Sequence, residues 1–260
     1  MQRRYKKIAA AAGISLSASL AQADGGNECA GLPSWLALKS AVTTAVAAET
    51  SGLDLQMWAT VVNRDGVVCA VAFSGANRGA QWPGSRVISA QKANAANAFS
   101  LDGLALSTAN LYSAVQPGGS LFGLQHSNPV STDVAYGGNA ANYGTPFDYM
   151  VGKKIGGVNV FGGGLALYNA QRKVIGGVGV SGDTSCADHM IGWRVRNTLG
   201  LDHLFGIGGV SGDPARPDNI VFDIAPNGSG GTGVSASGFG HPVCIRSTVT
   251  LPGSLPAVQP

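Results

Sequence analysis

GGVGVSGDTSCADHMIGWRVR, residues 176–196, passes from a glycine-spaced, β-branched run through Ser181-Gly182-Asp183 into a helical pattern. Three arrangements use a turn of this kind. A nucleophile elbow needs G-x-S-x-G, and here the fifth position is Asp183, so Ser181 lacks one of the small flanks that a strained strand-to-helix turn requires. A phosphate cradle needs the P-loop Lys-Ser/Thr, which does not follow Gly176-Gly177-Val178-Gly179, or a parallel βαβ unit. The third reading is a connection: the glycines permit close packing and a tight exit from a strand, and Asp183 or Thr184 caps the next helix.

Working outward, VNVFGGGLALYNAQRKVIGGVGVSG places two apolar runs around Asn169-Ala170-Gln171-Arg172, which predicts a hairpin ending in the quoted strand. An earlier hairpin is predicted in QMWATVVNRDGVVCAVAFSG, where Asp65-Gly66 separates two β-branched runs. PSWLALKSAVTTAVAAET, opened by Pro33, reads as a buried helix, and SRVISAQKANAANAFS as a helix capped by Ser85. Residues 118–157, rich in Gly, Asn, Pro and Tyr, read as one long folded loop, and loops of that length are often functional. The order helix, hairpin, helix, loop, hairpin, helix implies an α+β fold, a mostly antiparallel sheet with helices packed on it. From residue 205 to 260 the chain is glycine- and proline-punctuated, an irregular extension expected to lie on the core.

Residues 1–23 read as a signal peptide: Arg3, Arg4, Lys6 and Lys7, an apolar run from Ile8 to Leu20, then Ala21-Gln22-Ala23. That leader carries four of the 17 basic residues and none of the 14 acidic ones, so the remainder is close to neutral. A near-neutral mature chain gives no electrostatic case for nucleic acid or an anionic membrane, and no membrane span is expected in it. The destination is periplasmic or secreted. Four cysteines suit an oxidising compartment, and the pairings Cys29–Cys69 and Cys186–Cys244 would each pin a terminal segment to the core.

Helical spacing puts His189, Trp193 and Arg196 on one face of the last helix, opposite Ala187, Met190, Ile191 and Val195. That face is either a pocket rim, a subunit contact or a solvated surface. Lys92 falls in an apolar stripe with Ile88, Ala95 and Phe99, and either its ammonium reaches water or it meets an anion such as a carboxylate. His126, His189, His203 and His241 are too scattered for a zinc motif, and His126 lies within LFGLQHSNP in the long loop.

Two segments together resemble the GlcG/HbpS haem-binding family, whose members carry a haem-degrading domain. They are Ala90-x-Lys92-Ala93-x-x-Ala96-x-x-Phe99, preceded by the Asp65-Gly66 turn, and Gly177-x-Gly179-Val180-Ser181-Gly182 followed after five residues by Asp188. The resemblance spans about residues 33–200; the domain is drawn at 24–204, with 205–260 outside it. It implies a profilin-like fold, homo-oligomeric assembly, and binding of haem or a related tetrapyrrole for sequestration, transfer or sensing. Such a site needs an apolar slot, axial donors and cations for the propionates. His126 and His189 are the candidate iron ligands, Lys92 and Arg196 the candidate propionate partners, and Trp193 or a tyrosine of the long loop the stacking group. Two other functions stay open: an enzyme that cleaves haem oxidatively, and a cofactor-free oligomeric module that binds a partner protein.

Overall fold

The computed structural model describes residues 26–225 and 233–260. The expected leader, 1–23, lies outside them. Helix α1 (Trp35–Ala47) is capped by Ser34, whose hydroxyl accepts from the Ala37 N–H. Its alanines suggest burial all round, yet it buries only one side, through Leu38, Ala41, Val42 and Ala45, and leaves Leu36 and Thr44 in solvent.

Strands β1 (Trp58–Asn63) and β2 (Val68–Phe73) pair antiparallel across the Asp65-Gly66 turn. Gly66 takes a positive φ of 78°, and Asn63 Oδ1 accepts from the Asp65 and Val67 N–H groups. The predicted hairpin is therefore present with its asparagine and glycine in working roles. Helix α2 (Ser85–Phe99) follows, but Ser85 lies inside the first turn and the cap position falls on Gly84 without a side-chain bond.

The long loop contains two single-turn helices, α3 (Leu124–Ser127) and α4 (Thr132–Ala135). It is fastened to α2 by Arg86, which pairs bidentately with Asp148 at 2.5 and 2.8 Å, donates to the Ala135 carbonyl and stacks on the Tyr143 ring. Strands β3 (Gly164–Tyr168) and β4 (Val174–Ser181) form the second hairpin, turning at Asn169–Arg172 as predicted. Helix α5 (Ser185–Thr198) then starts at Thr184, whose side chain accepts from the Ala187 N–H.

The four strands form one sheet in the order β2-β1-β4-β3, every neighbour antiparallel. Helix α2 covers one face; α1 and α5 cover the other. The quoted glycines set the spacing of these layers. A Cβ on Gly179 would run into the Ser89 carbonyl and the Ala93 nitrogen, and one on Gly177 would meet the Ala93 carbonyl, so the α2 backbone rests directly on β4. Such close contact requires glycine below and small residues above, which Ser89, Ala90, Ala93 and Ala96 supply.

Beyond Phe205 the described residues are irregular apart from a short ribbon of β5 (Ile224–Ala225) and β6 (Val234–Ser235) and a 3-10 turn at Leu251–Ser254. It nevertheless sends Ile207, Ile220, Leu255 and Val258 into the main core beside Leu38, Leu165 and Met190. Both expected disulfides are closed: Cys29–Cys69 holds the first turn to β2, and Cys186–Cys244 holds the extension to the start of α5. No helix among the described residues is long and apolar enough to cross a membrane.

Candidate functional site

Lys92 points from α2 past the end of β4 and is fully buried. Its Nζ lies 2.6 Å from Asp188 Oδ2 on α5, donates to the Val180 carbonyl at 3.1 Å and sits over the Phe161 ring. The other Asp188 oxygen accepts from the Gly182 and Asp183 N–H groups. Burial pushes the Asp188 carboxyl up to about 6 while Lys92 and the Asp183 N–H pull it back, and burial lowers the Lys92 ammonium against the pull of Asp188. The anion that Lys92 meets is thus Asp188, and the pair ties α2 to the turn between β4 and α5. Snorkelling to water, the other reading of this lysine, does not occur.

His189, Trp193 and Arg196 do share a face of α5, but it is neither a rim nor a solvated surface: all three are at most 1% exposed. The extension covers them. Arg196 makes a bidentate pair with Asp218 at 2.6 and 2.9 Å and stacks on Trp193; Trp193 Nε1 donates to the Pro256 carbonyl. His189 Nε2 lies 3.2 Å from both Asn219 Oδ1 and the Ile220 nitrogen, while its Nδ1 is buried without a partner. Sequence periodicity shows the shared face and is blind to what covers it.

Three of the four histidines have polar partners. His203 Nδ1 is 2.9 Å from the Pro260 carbonyl, and His241 Nε2 is 3.0 Å from Ser185 Oγ. Burial pushes His189 down to about 3 and His241 to about 4, so both are neutral at physiological pH. His126 alone has an exposed ring with no hydrogen-bond partner among the described residues. It sits on α3, in a turn closed by Leu124 N to Leu121 O and His126 N to Gly123 O, next to Leu121 and the 61%-exposed Phe122.

The depressed histidines give a pH dependence whose sign is fixed. Their unfolded value is 6.5, so between that and about 4 or 3 the unfolded chain binds protons that the folded chain refuses. Stability is therefore full above about 6.5 and falls as the pH drops through this window. Asp188, raised in the fold, works the other way below about 6, one group against two. Thermal unfolding followed at pH 7.5, 6, 5 and 4 should show a falling midpoint; a flat midpoint contradicts the assignment.

Among the described residues a cleft of about 180 Å³ opens between α1, the 49–56 loop and α5, lined in part by Glu49, Ser51, Asp54 and Asp183. Drug-sized ligands occupy sites of about 300–1,000 Å³. The cleft is too small for a macrocycle.

The family model for the haem degrading protein HbpS-like family matches residues 35–195. The chain belongs to that family. Among solved structures it is similar to the Klebsiella pneumoniae protein ORFY, at 26% identity and a TM-score of 0.42, over 63% of this chain and 88% of that one. A PduOC complex with heme is 21% identical, with a TM-score of 0.44, over 63% and 90% of the two chains. A double mutant of HbpS from Streptomyces reticuli is 15% identical, with a TM-score of 0.39, over 76% and 99%. No curated protein matches the chain.

Proposed function

We propose that this is an exported protein that binds haem or a related tetrapyrrole for sequestration, transfer or sensing, with His126 as the protein's iron ligand. Membership of the HbpS-like family over residues 35–195 carries the reading. The description of one similar structure as a heme complex is in keeping with it. The closed disulfides suit an oxidising, periplasmic or extracellular setting.

The residues divide by whether they fit such a group. Lys92, Arg196, Trp193 and His189 are committed to internal partners and offer nothing at the surface. His126 fits: a neutral imidazole is a common haem ligand, and exposed Leu121 and Phe122 supply apolar surface for the ring. Bound at this turn, haem would supply iron chemistry; the chain would supply the axial nitrogen and exclude water from one side of the ring. A second copy of the chain, laid against the same turn, would cover the other side.

Titration of the purified chain with hemin tests this through the Soret band. The parent should shift the band and saturate, His126→Ala should weaken binding at least tenfold, and His189→Ala, if folded, should bind as the parent does. Hemin binding by His126→Ala that matches the parent removes the assignment. No spectral change in the parent would leave a cofactor-free module. The family description also names degradation, so a further arm adds an electron donor with catalase present. A persisting Soret band supports a binding protein, and decay to a ring-opened product supports an enzyme. Sedimentation with and without hemin reads the assembly state.

A further inference from the structure

The disulfide between α5 and the extension is surrounded by groups that a structural crosslink does not need. Cys186 and Cys244 each present sulfur, and His241 a ring nitrogen, within 4.8 Å of one another. His241 is 2% exposed and neutral. Its Nδ1, 4.0 Å from Cys186 Sγ, lies 2.7 Å from the Pro242 carbonyl, which only accepts, so Nδ1 carries the proton and Nε2, on the side of Ser185 Oγ, carries the lone pair. A backbone carbonyl bonded to the protonated nitrogen is the usual support behind a metal-bound histidine, and leaves Nε2 as the nitrogen that would hold the ion. The Cys186 N–H donates to Cys244 Sγ at 3.2 Å, and both sulfurs lie at the first turn of a 14-residue helix, whose N-terminus stabilises thiolates. Ser185, half-exposed, bonds His241 Nε2 at 3.0 Å and approaches Cys244 Sγ at 3.6 Å.

We propose that Cys186, Cys244 and His241 form a redox-controlled zinc site, closed as a disulfide when oxidised and open to Zn²⁺ when reduced. Cys186 is fully buried and Cys244 only partly, so a dithiol reductant attacks Cys244 Sγ. The S–S bond breaks, Cys186 leaves as a thiolate at the helix N-terminus, and the reductant's second thiol resolves the mixed disulfide, giving two protein thiols and the oxidised reductant. Binding of Zn²⁺ then displaces the thiol protons and places two thiolates and the neutral imidazole on the metal. Water fills the fourth position from the side of Ser185. In either state the extension stays tied to α5, by a covalent bond or by the metal.

Cobalt(II), which reports tetrahedral thiolate ligation optically, is the probe. The full chain reduced with a dithiol and freed of reductant should take one Co²⁺ with sulfur-to-metal charge-transfer bands, and one equivalent of Zn²⁺ should displace it. The oxidised chain should take none. His241→Ala should lose at least tenfold in affinity. In reduced parent, Zn²⁺ should protect Cys186 and Cys244 from alkylation, read peptide by peptide in a mass spectrometer, and leave Cys29 and Cys69 reactive. Absence of charge-transfer bands overturns the proposal, as does an affinity indifferent to His241→Ala, which would mean that an unfolded chain chelates through its thiols. Protection confined to Cys29 and Cys69 overturns it too.

Discussion

Gly179→Ala is expected to abolish the native fold. The new methyl group would collide with the Ser89 carbonyl and the Ala93 nitrogen, both backbone atoms of α2, and backbone in a helix cannot rotate aside as a side chain does. Relief requires α2 to lift from β4 along its length, undoing the packing of Ala90 and Ala93 as well. Overpacking a core costs about 1–3 kcal/mol where side chains give way. Here rigid backbone blocks that relaxation, so the loss belongs above that range, against a total stability of about 5–15 kcal/mol. Gly103→Ala is the control, because a Cβ there meets nothing within 4 Å; it should change stability by less than about 0.5 kcal/mol. Chemical denaturation of both variants makes the comparison. A Gly179→Ala chain that unfolds with the parent's midpoint would refute the close seating of α2.

The Lys92–Asp188 pair yields the second large effect, and its two halves are unequal. Breaking a buried pair from one side costs about 3–5 kcal/mol because the remaining charge is uncompensated. Lys92→Met leaves a carboxyl that still accepts from the Gly182 and Asp183 N–H groups and that protonates readily. Asp188→Ala strands the ammonium and both N–H groups together. Asp188→Ala should therefore be the more damaging. In Lys92→Met the Asp188 carboxyl, without its cation, rises further above its unfolded value of 3.8, so the folded state binds the extra proton and stability increases as the pH falls toward that value. Equal losses in the two variants, or a Lys92→Met chain weakened by mild acid in the range above 4 more than the parent is, would show that the pair does not bear this load.

How much the sequence discloses differs sharply between the sheet and its cover. Asp65-Gly66, the four-residue turn at 169–172 and the Gly-Gly-x-Gly run each act over a few neighbours, so both hairpins and the layered α+β arrangement are legible locally. The cysteine pairings are long-range and are legible for a different reason: each joins one end of the chain to the core. The partners of His189, Trp193 and Arg196 come from residues 218–256, a stretch with no period of two or of 3.6 to declare its inward side. The sequence offers one partial signal: a lysine in an apolar stripe, or an arginine one turn from a tryptophan, either reaches water or meets an anion. Asp188 and Asp218 are the anions they meet. Ser185 and His241, 56 residues apart and joined only through the extension, carried no such signal.

The strand order β2-β1-β4-β3 has a kinetic corollary. β1 meets β2 within a few residues, but its other edge pairs with β4, as in Trp58 opposite Ser181, across more than a hundred residues of chain. Contacts of such separation slow folding, and during synthesis the first hairpin emerges with a bare, apolar edge long before its mate exists. The newborn chain is thus exposed to mispairing at that edge, and a holdase that shields residues 58–63 until β4 has been made would raise the yield of native protein.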